Sequence, residues 1–217
     1  ADDFEGALHD LIRSTIHAHK RIIFNGNGYD DAWIKEATEQ RGLLNLRTTP
    51  DAMPTLLEKK NVDMLTGLKI FTKAELESRY EIMMENYVKT VTIEAQTMLD
   101  MTRKEILPAV AGYTKELTET LAAKRTILPS LPAKYETGTI TKLSSLLDQI
   151  DAAADELEKT TLQIKAIDSV TESAFQIRDA MLPRMAALRV VCDEAEPLTA
   201  ERFWPFPTYD KLLFGVR

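Results

Sequence analysis

Apolar residues recur at helical spacing along almost the whole of this chain. Phe4, Leu8, Leu11, Ile12 and Ile16 predict an amphipathic helix from about residue 3 to 20. The period breaks at Ile22-Ile23-Phe24. The next residues, Asn25-Gly26-Asn27-Gly28-Tyr29, hold two glycines and two asparagines, which tolerate positive φ and so predict a turn. A short helix is expected from Asp30 or Asp31 to Gln40, with Trp33, Ile34 and Ala37 on one face and Gly42 just past its end. Leu43-Leu44-Asn45-Leu46 reads as a packed connector. Thr49-Pro50 reads as a cap followed by a first-turn proline, with Met53, Leu56 and Leu57 forming the apolar face behind it.

From residue 72 onward the pattern is longer and cleaner. Thr72-Lys73-Ala74-Glu75 fits a capping box, in which a hydroxyl and a carboxylate take each other's free amide donors. Leu76, Tyr80, Met83, Tyr87, Val91, Ala95 and Met98, then Ile106, Val110, Tyr113, Leu117 and Leu121, predict roughly 50 residues of helix, about 75 Å long. Pro108 lies inside it and predicts a kink, because proline removes a backbone donor and clashes with the preceding turn. Beyond Pro129 and Pro132, Ile140, Leu143, Leu147, Ile150, Ala154, Leu157, Thr161 and Ile164 alternate steps of three and four, a heptad seam expected to face the helix that begins near Thr72. Asp151, Asp155, Glu158 and Lys159 lie off the seam, and Asp155 with Lys159 has favourable i,i+4 order. Ser169-Val170-Thr171-Glu172 is a second capping box, leading into a stripe of Ala174, Ile177, Met181, Met185, Leu188, Cys192 and Ala195, with Pro183 and Pro197 inside it.

These elements predict an all-α fold: a short helical module, residues 1–70, followed by a long antiparallel helical bundle with proline-kinked helices, residues 71–217. The glycines support that division, since five of the 8 (Gly6, Gly26, Gly28, Gly42 and Gly67) precede residue 70. The end cannot be regular helix: Phe203-Trp204-Pro205-Phe206-Pro207-Thr208-Tyr209 crowds four aromatics and two prolines together. So much apolar surface, with Leu212, Leu213 and Phe214 behind it, predicts a segment anchored on folded protein. Its expected receptor is the first module, through Leu8, Ile12, Ile23, Phe24 and Trp33, with a neighbouring subunit as the alternative.

Charge narrows the partners. With 27 Lys and Arg against 34 Asp and Glu the formal net charge is -7, which disfavours nucleic acid and anionic lipid. Cys192 is the single cysteine, so no intrachain disulfide can form and a reducing, cytoplasmic setting is expected. No apolar run reaches the roughly 20 residues that span a bilayer, and Ala1-Asp2-Asp3-Phe4-Glu5 lacks the basic region of a signal peptide.

Candidate chemistry is sparse. His9, His17 and His19 are confined to the first predicted helix, where His17 and His19 sit about 200° apart and cannot share a metal. Gly26 and Gly28 are followed by Asp31 where a dinucleotide-binding loop needs its third glycine. Read as a calcium loop, the same segment puts Asp30 where glycine is obligatory. Cys192 lies in an apolar stripe and reads as an inert core thiol. Met83, Met98, Met181 and Met185 lie on helical stripes and read as core filling. No catalytic, cofactor-binding or metal-ligating residue is assigned. The structural or interface candidates are Trp204, Pro205, Phe206, Pro207 and Tyr209, together with Asn25, Gly26, Asn27 and Gly28. From the residues alone, the chain is a helical scaffold or interaction module.

Several strings add a family. Phe24-Asn25-Gly26-Asn27-Gly28-Tyr29, Arg41-Gly42-Leu43-Leu44-Asn45-Leu46, Ser78-Arg79-Tyr80-Glu81-Ile82, Glu85-Asn86-Tyr87, Ile93-Glu94-Ala95, Lys104-Glu105-Ile106-Leu107-Pro108-Ala109 and Trp204-Pro205-Phe206-Pro207-Thr208-Tyr209 occur in an order that resembles the carboxy-terminal part of the long bacterial type III glutamine synthetases. The resemblance implies a parent enzyme that joins ammonia to glutamate through a γ-glutamyl phosphate, using ATP and magnesium or manganese, within a large ring-shaped homo-oligomer. It implies an upstream catalytic region and sister subunits as partners. It places the family's catalytic motifs upstream, so no cofactor or metal is expected within this segment. A free-standing helical module of the same ancestry is the alternative, and the length of the natural reading frame separates the two.

Overall fold

Asp3, Asp30, Thr48, Thr72 and Ser169 each start a helix by offering a side-chain oxygen to an amide hydrogen that the first turn leaves free. A computed structural model describes residues 3–23 and 25–215; Phe24, expected in the apolar run before the glycines, lies outside the described residues. The chain divides into two compact units, Ala1–Arg47 and Thr48–Arg217.

In the first unit, helix α1 (Phe4–His19) starts at Asp3, whose carboxylate accepts from the Gly6 amide at 2.9 Å. A tight turn, Lys20–Ile22, ends it. Helix α2 (Asp31–Lys35) is capped by Asp30 through the Ala32 amide at 3.0 Å, then widens into a π turn, Glu36–Gln40. Gly42 follows at φ +66°, the left-handed geometry that glycine adopts without strain. Ala37 is the buried hydrophobic residue described in this unit. The connector expected to pack does not: Leu43, Leu44 and Leu46 are exposed, because the segment forms no regular element whose face could be set against a neighbour.

In the second unit, helix α3 (Thr49–Ala52) is capped by Thr48 and not by Thr49. Thr48 is the residue still in extended geometry, so its hydroxyl can reach the Asp51 amide, and Pro50 falls one place deeper in the first turn than expected. A tight turn, Met53–Leu57, leads to helix α4 (Lys59–Gly67), and these elements pack on helix α5 (Lys73–Met101). They therefore belong with the bundle, although they precede residue 70. Thr72 and Glu75 form the predicted capping box at the start of α5.

Helix α6 (Leu107–Ile127) continues α5 across a π turn, Thr102–Ile106. Helix α7 (Lys134–Lys165) is 32 residues long, about 48 Å at 1.5 Å per residue. Helix α8 (Val170–Gln176), capped by Ser169, runs through a second π turn, Ile177–Met181, into helix α9 (Leu182–Ala195). Helix α10 (Tyr209–Phe214) closes the described chain, and no strand occurs among the described residues.

Each long helical run accommodates its proline in the same way. Leu107, just before Pro108, donates its amide to the Thr102 carbonyl five residues back, and Leu182, just before Pro183, donates to Ile177. An interior proline cannot donate to the carbonyl four residues behind it. The wide turn shifts the hydrogen-bond register by one and lets the helix resume. At the first of these turns the buried Thr102 hydroxyl donates to the Met98 carbonyl at 2.8 Å, a side-chain bond of the kind that bends helices.

The core lies along α7. Leu143, Ile150, Ala154 and Leu157 are fully buried on the predicted seam, and Ile164 nearly so. They meet Val110, Tyr113 and Leu117 of α6 and Leu188, Cys192 and Ala195 of α9 within one apolar cluster. The seam was expected to face the helical run that begins near Thr72; α7 packs most extensively on the α6 half of that run and on α9, and touches α5 over a shorter stretch. The short connection 128–133 sets α7 antiparallel beside α6, the nearer partner. On α5 the buried methionine is Met84, whereas Met83 is exposed. Consecutive residues point about 100° apart on a helix, and it is Met84 that shares a side with Val91 and Ala95. Asp155 does not pair with Lys159, which sits 3.8 Å from Glu156 instead.

Ile150→Ala should destabilise the protein by about 2–5 kcal/mol, the usual loss for a large aliphatic residue removed from a packed core. Urea melts of the two proteins measure it, and a loss below about 1 kcal/mol would contradict the packing. The buried Tyr87 hydroxyl is without a hydrogen-bond partner. Tyr87→Phe should therefore hold or raise stability by up to about 1 kcal/mol, since an unsatisfied buried hydroxyl contributes nothing to lose.

Candidate functional site

The aromatic segment docks because α9 ends just before it. After the turn Glu196–Leu198, the Thr199 hydroxyl donates back to Ala195 at 2.8 Å, and the Phe203 amide bonds the Ala200 carbonyl at 2.8 Å. This brings the Phe203 ring against Tyr113 of α6, with centroids 5.5 Å apart. Gly112 makes room for it, since a Cβ there would lie 3.3 Å from the ring. Arg202 pairs with Glu116 of α6 and its guanidinium lies 5.3 Å from the Phe203 ring centre. Trp204 meets Phe206 edge to face at 6.2 Å, and both pack partly on the core. The receptor supplied by the structure is thus the bundle, where the first module had been expected. A residue next in sequence to α9 reaches the α6 surface at little entropic cost.

Anchoring is confined to part of the segment. Pro205, Pro207 and Tyr209 face outward, and Leu212, Leu213 and Phe214 of α10 are exposed, the last at 78%. Trp204 and Phe206 also wall a cleft of about 500 Å³ between α5 and α9, together with Met98, Met101 and Cys192. Cys192 is buried, and that burial pushes its thiol up, which leaves it a poor nucleophile.

The second set of candidates lies in the other unit. Asn25, Gly26, Asn27 and Gly28 are all exposed. The Asn27 carboxamide oxygen accepts from the Tyr29 amide at 3.0 Å, and the Asn27 carbonyl accepts from Asp30 at 3.2 Å. Those polar groups are used on the loop's own backbone, in a turn that delivers Asp30 to the cap of α2. His9, His17 and His19 are exposed on α1.

Charged clusters that the sequence did not single out tie the bundle together. Arg103 in the first π turn donates to Asp155 and to Glu158 of α7, both at 2.8 Å. Hydrogen bonding to Arg103 holds the Glu158 carboxyl below its ordinary value. Arg178 in the second π turn joins Asp51 of α3 to Asp179. Lys124 of α6 pairs with the buried Glu136 of α7 and holds its carboxyl low. Tyr113 and Tyr135 share a hydrogen bond at 2.7 Å, which is the main reason the Tyr113 phenol is pushed up to about 12. Only the off-seam positions of Asp155 and Glu158 hinted at any of this.

These donor sets do not fit a divalent metal. Two carboxylate pairs, Asp155 with Glu158 and Asp51 with Asp179, each converge on an arginine, and no group of three or more His, Cys, Asp or Glu is placed to hold a metal among the described residues.

Residues 7–125 match the family model of the glutamine synthetase C-terminal domain. The chain belongs to the glutamine synthetase family. It is 36% identical over 216 residues to a glutamine synthetase of Butyrivibrio fibrisolvens, a match that covers 100% of this chain and 31% of that protein. It is 29% identical over 215 residues to a type-3 glutamine synthetase of Dictyostelium discoideum and 27% identical over 214 residues to a glutamine synthetase of Bacteroides fragilis, each match covering 96% of this chain and 29% of the relative. The chain thus spans less than a third of the length of the relatives it matches.

Strings that resemble the glutamine synthetase family coincide with joints of this fold. Arg79 stacks over Phe71 at 4.4 Å, and Tyr80 shares a hydrogen bond with Thr171 that links α5 to α8. Lys104-Glu105-Ile106-Leu107-Pro108 forms the first π turn and its proline, and Trp204 to Phe206 is the docked segment.

Two outcomes check this site. Gly112→Leu should displace Phe203 and expose the terminal segment to protease, while Gly112→Ala, whose Cβ needs only a small shift of the ring, should not; limited proteolysis followed by mass spectrometry distinguishes them. The depressed Glu136 carboxyl contributes stability that is full above the ordinary value of 4.5 and is lost as pH falls through the lower folded value. Glu136→Gln should therefore flatten part of the fall in melting temperature below pH 4.5, with Asp51, Glu75, Glu158, Asp179 and Asp210 contributing in the same direction.

Proposed function

We propose that this chain is the carboxy-terminal accessory and assembly region of a type III glutamine synthetase. In that reading the parent is a cytoplasmic homo-oligomer whose upstream region ligates ammonia to glutamate with ATP and magnesium or manganese. The match that runs along the whole chain yet covers under a third of each relative carries the reading. The charge chemistry supports it: Arg103, Arg178 and Lys124 each pair with a carboxylate of another helix and are committed to holding helices together. The outward residues Pro205, Pro207 and Tyr209, and the exposed Asn25, Gly26, Asn27 and Gly28, are the surfaces through which this region meets the upstream domain or sister subunits.

The test has two parts. The 217-residue chain, given glutamate, ammonia, ATP and magnesium, should form no glutamine above a buffer control. Removing residues 48–217 from the full-length protein should reduce the size of its assembly in sedimentation. Glutamine formation by the chain alone, or an unchanged assembly, would overturn the reading. A natural reading frame without an upstream catalytic region would point to a free-standing helical module.

A further inference from the structure

Helix α1 carries an apolar face with nothing buried on it. Phe4, Leu8, Leu11, Ile12 and Ile16 lie along one side and are exposed at 43% to 71%. Asp10, Arg13 and His17 occupy the opposite side, where Asp10 and Arg13 approach to 4.0 Å. A helix of 16 residues, with Gly6 inside it, has little stability of its own in water and depends on packing of its apolar stripe. We propose that this face docks on the upstream part of the same polypeptide, the part that the relatives possess beyond the matched region. The inference rests on the functional reading above.

Two observations select that occupant. The matched model is that of a C-terminal domain, and more than two thirds of each relative lies outside the match. The match to that C-terminal domain also begins at residue 7, within helix α1, so what precedes such a domain adjoins this helix. A covalently tethered receptor is present at high effective concentration and needs no second molecule, which favours it over another copy of the chain.

Cysteine accessibility tests the proposal. Ile12→Cys and Leu11→Cys report on the apolar face, His17→Cys reports on the polar face, and the buried Cys192 gives the background. Each variant is treated with a maleimide in the 217-residue chain and in the full-length protein, at two protein concentrations. In the short chain all three positions should react at similar rates. In the full-length protein positions 11 and 12 should slow by at least about tenfold while position 17 does not change, the mark of a face covered in the folded state.

Equal rates at positions 11 and 12 in both proteins, with the full-length protein still forming glutamine, would overturn this proposal and leave the functional reading intact. Slow reaction already in the short chain would overturn it too. If that protection is independent of concentration, the face is covered from within the chain, and if it grows with concentration the partner is a second copy. A reading frame with no upstream region would overturn both inferences.

Discussion

The structure depends on one buried seam. Residues of α7 spaced by three and four bury Leu143, Ile150, Ala154 and Leu157 between α6 on one side and α9 on the other. Full burial of each of the Leu and Ile side chains is worth roughly 1.5–3 kcal/mol. The hydroxyls that interrupt the seam do not spoil it. Thr160 and Thr161 each donate to the carbonyl four residues back, at 2.8 Å, so no polar group is left open where they face the core.

Around that seam, two prolines determine where the hydrogen-bond ladder changes register, and the same places carry the charged joints. Arg103 lies in the π turn before Pro108 and reaches across to α7; Arg178 lies in the π turn before Pro183 and reaches α3. A wide turn re-aims the side chains that follow it, so one local constraint supplies both helix continuity and long-range connection. The guanidinium groups suit that role because they hold two carboxylates at once and remain charged at any pH the protein meets.

The terminal aromatics follow from the same scaffold. Gly112 leaves a gap on α6 that the Phe203 ring fills, and Tyr113 beside it gains a tilted aromatic contact. The segment therefore completes the cover of the bundle and exposes its prolines outward. Residues 7–125 match the glutamine synthetase C-terminal domain, and the helices that they help to form are held together by buried faces and charged joints.

Helical class, the capping box at Thr72, the heptad seam and the family strings could all be read from the sequence, because period, cap and motif are local properties that a few neighbouring residues determine. The loop at Asn25 was equally legible as a turn, since asparagine and glycine act on their own backbone. The partner of each face was not. Periodicity says that α7 has an apolar stripe, but which half of the α5–α6 run meets it, and that α9 takes the other side, depends on how the connecting segments fold back. The choice of Met84 over Met83 likewise waited on the direction from which neighbours approach α5. Arg103 with Glu158, and Arg178 with Asp51, are separated by 55 and 127 residues, and attraction between charges so distant in sequence leaves no local trace. Tertiary structure alone decided these, because which surfaces meet is settled by the packing of whole helices and not by the residues on either one.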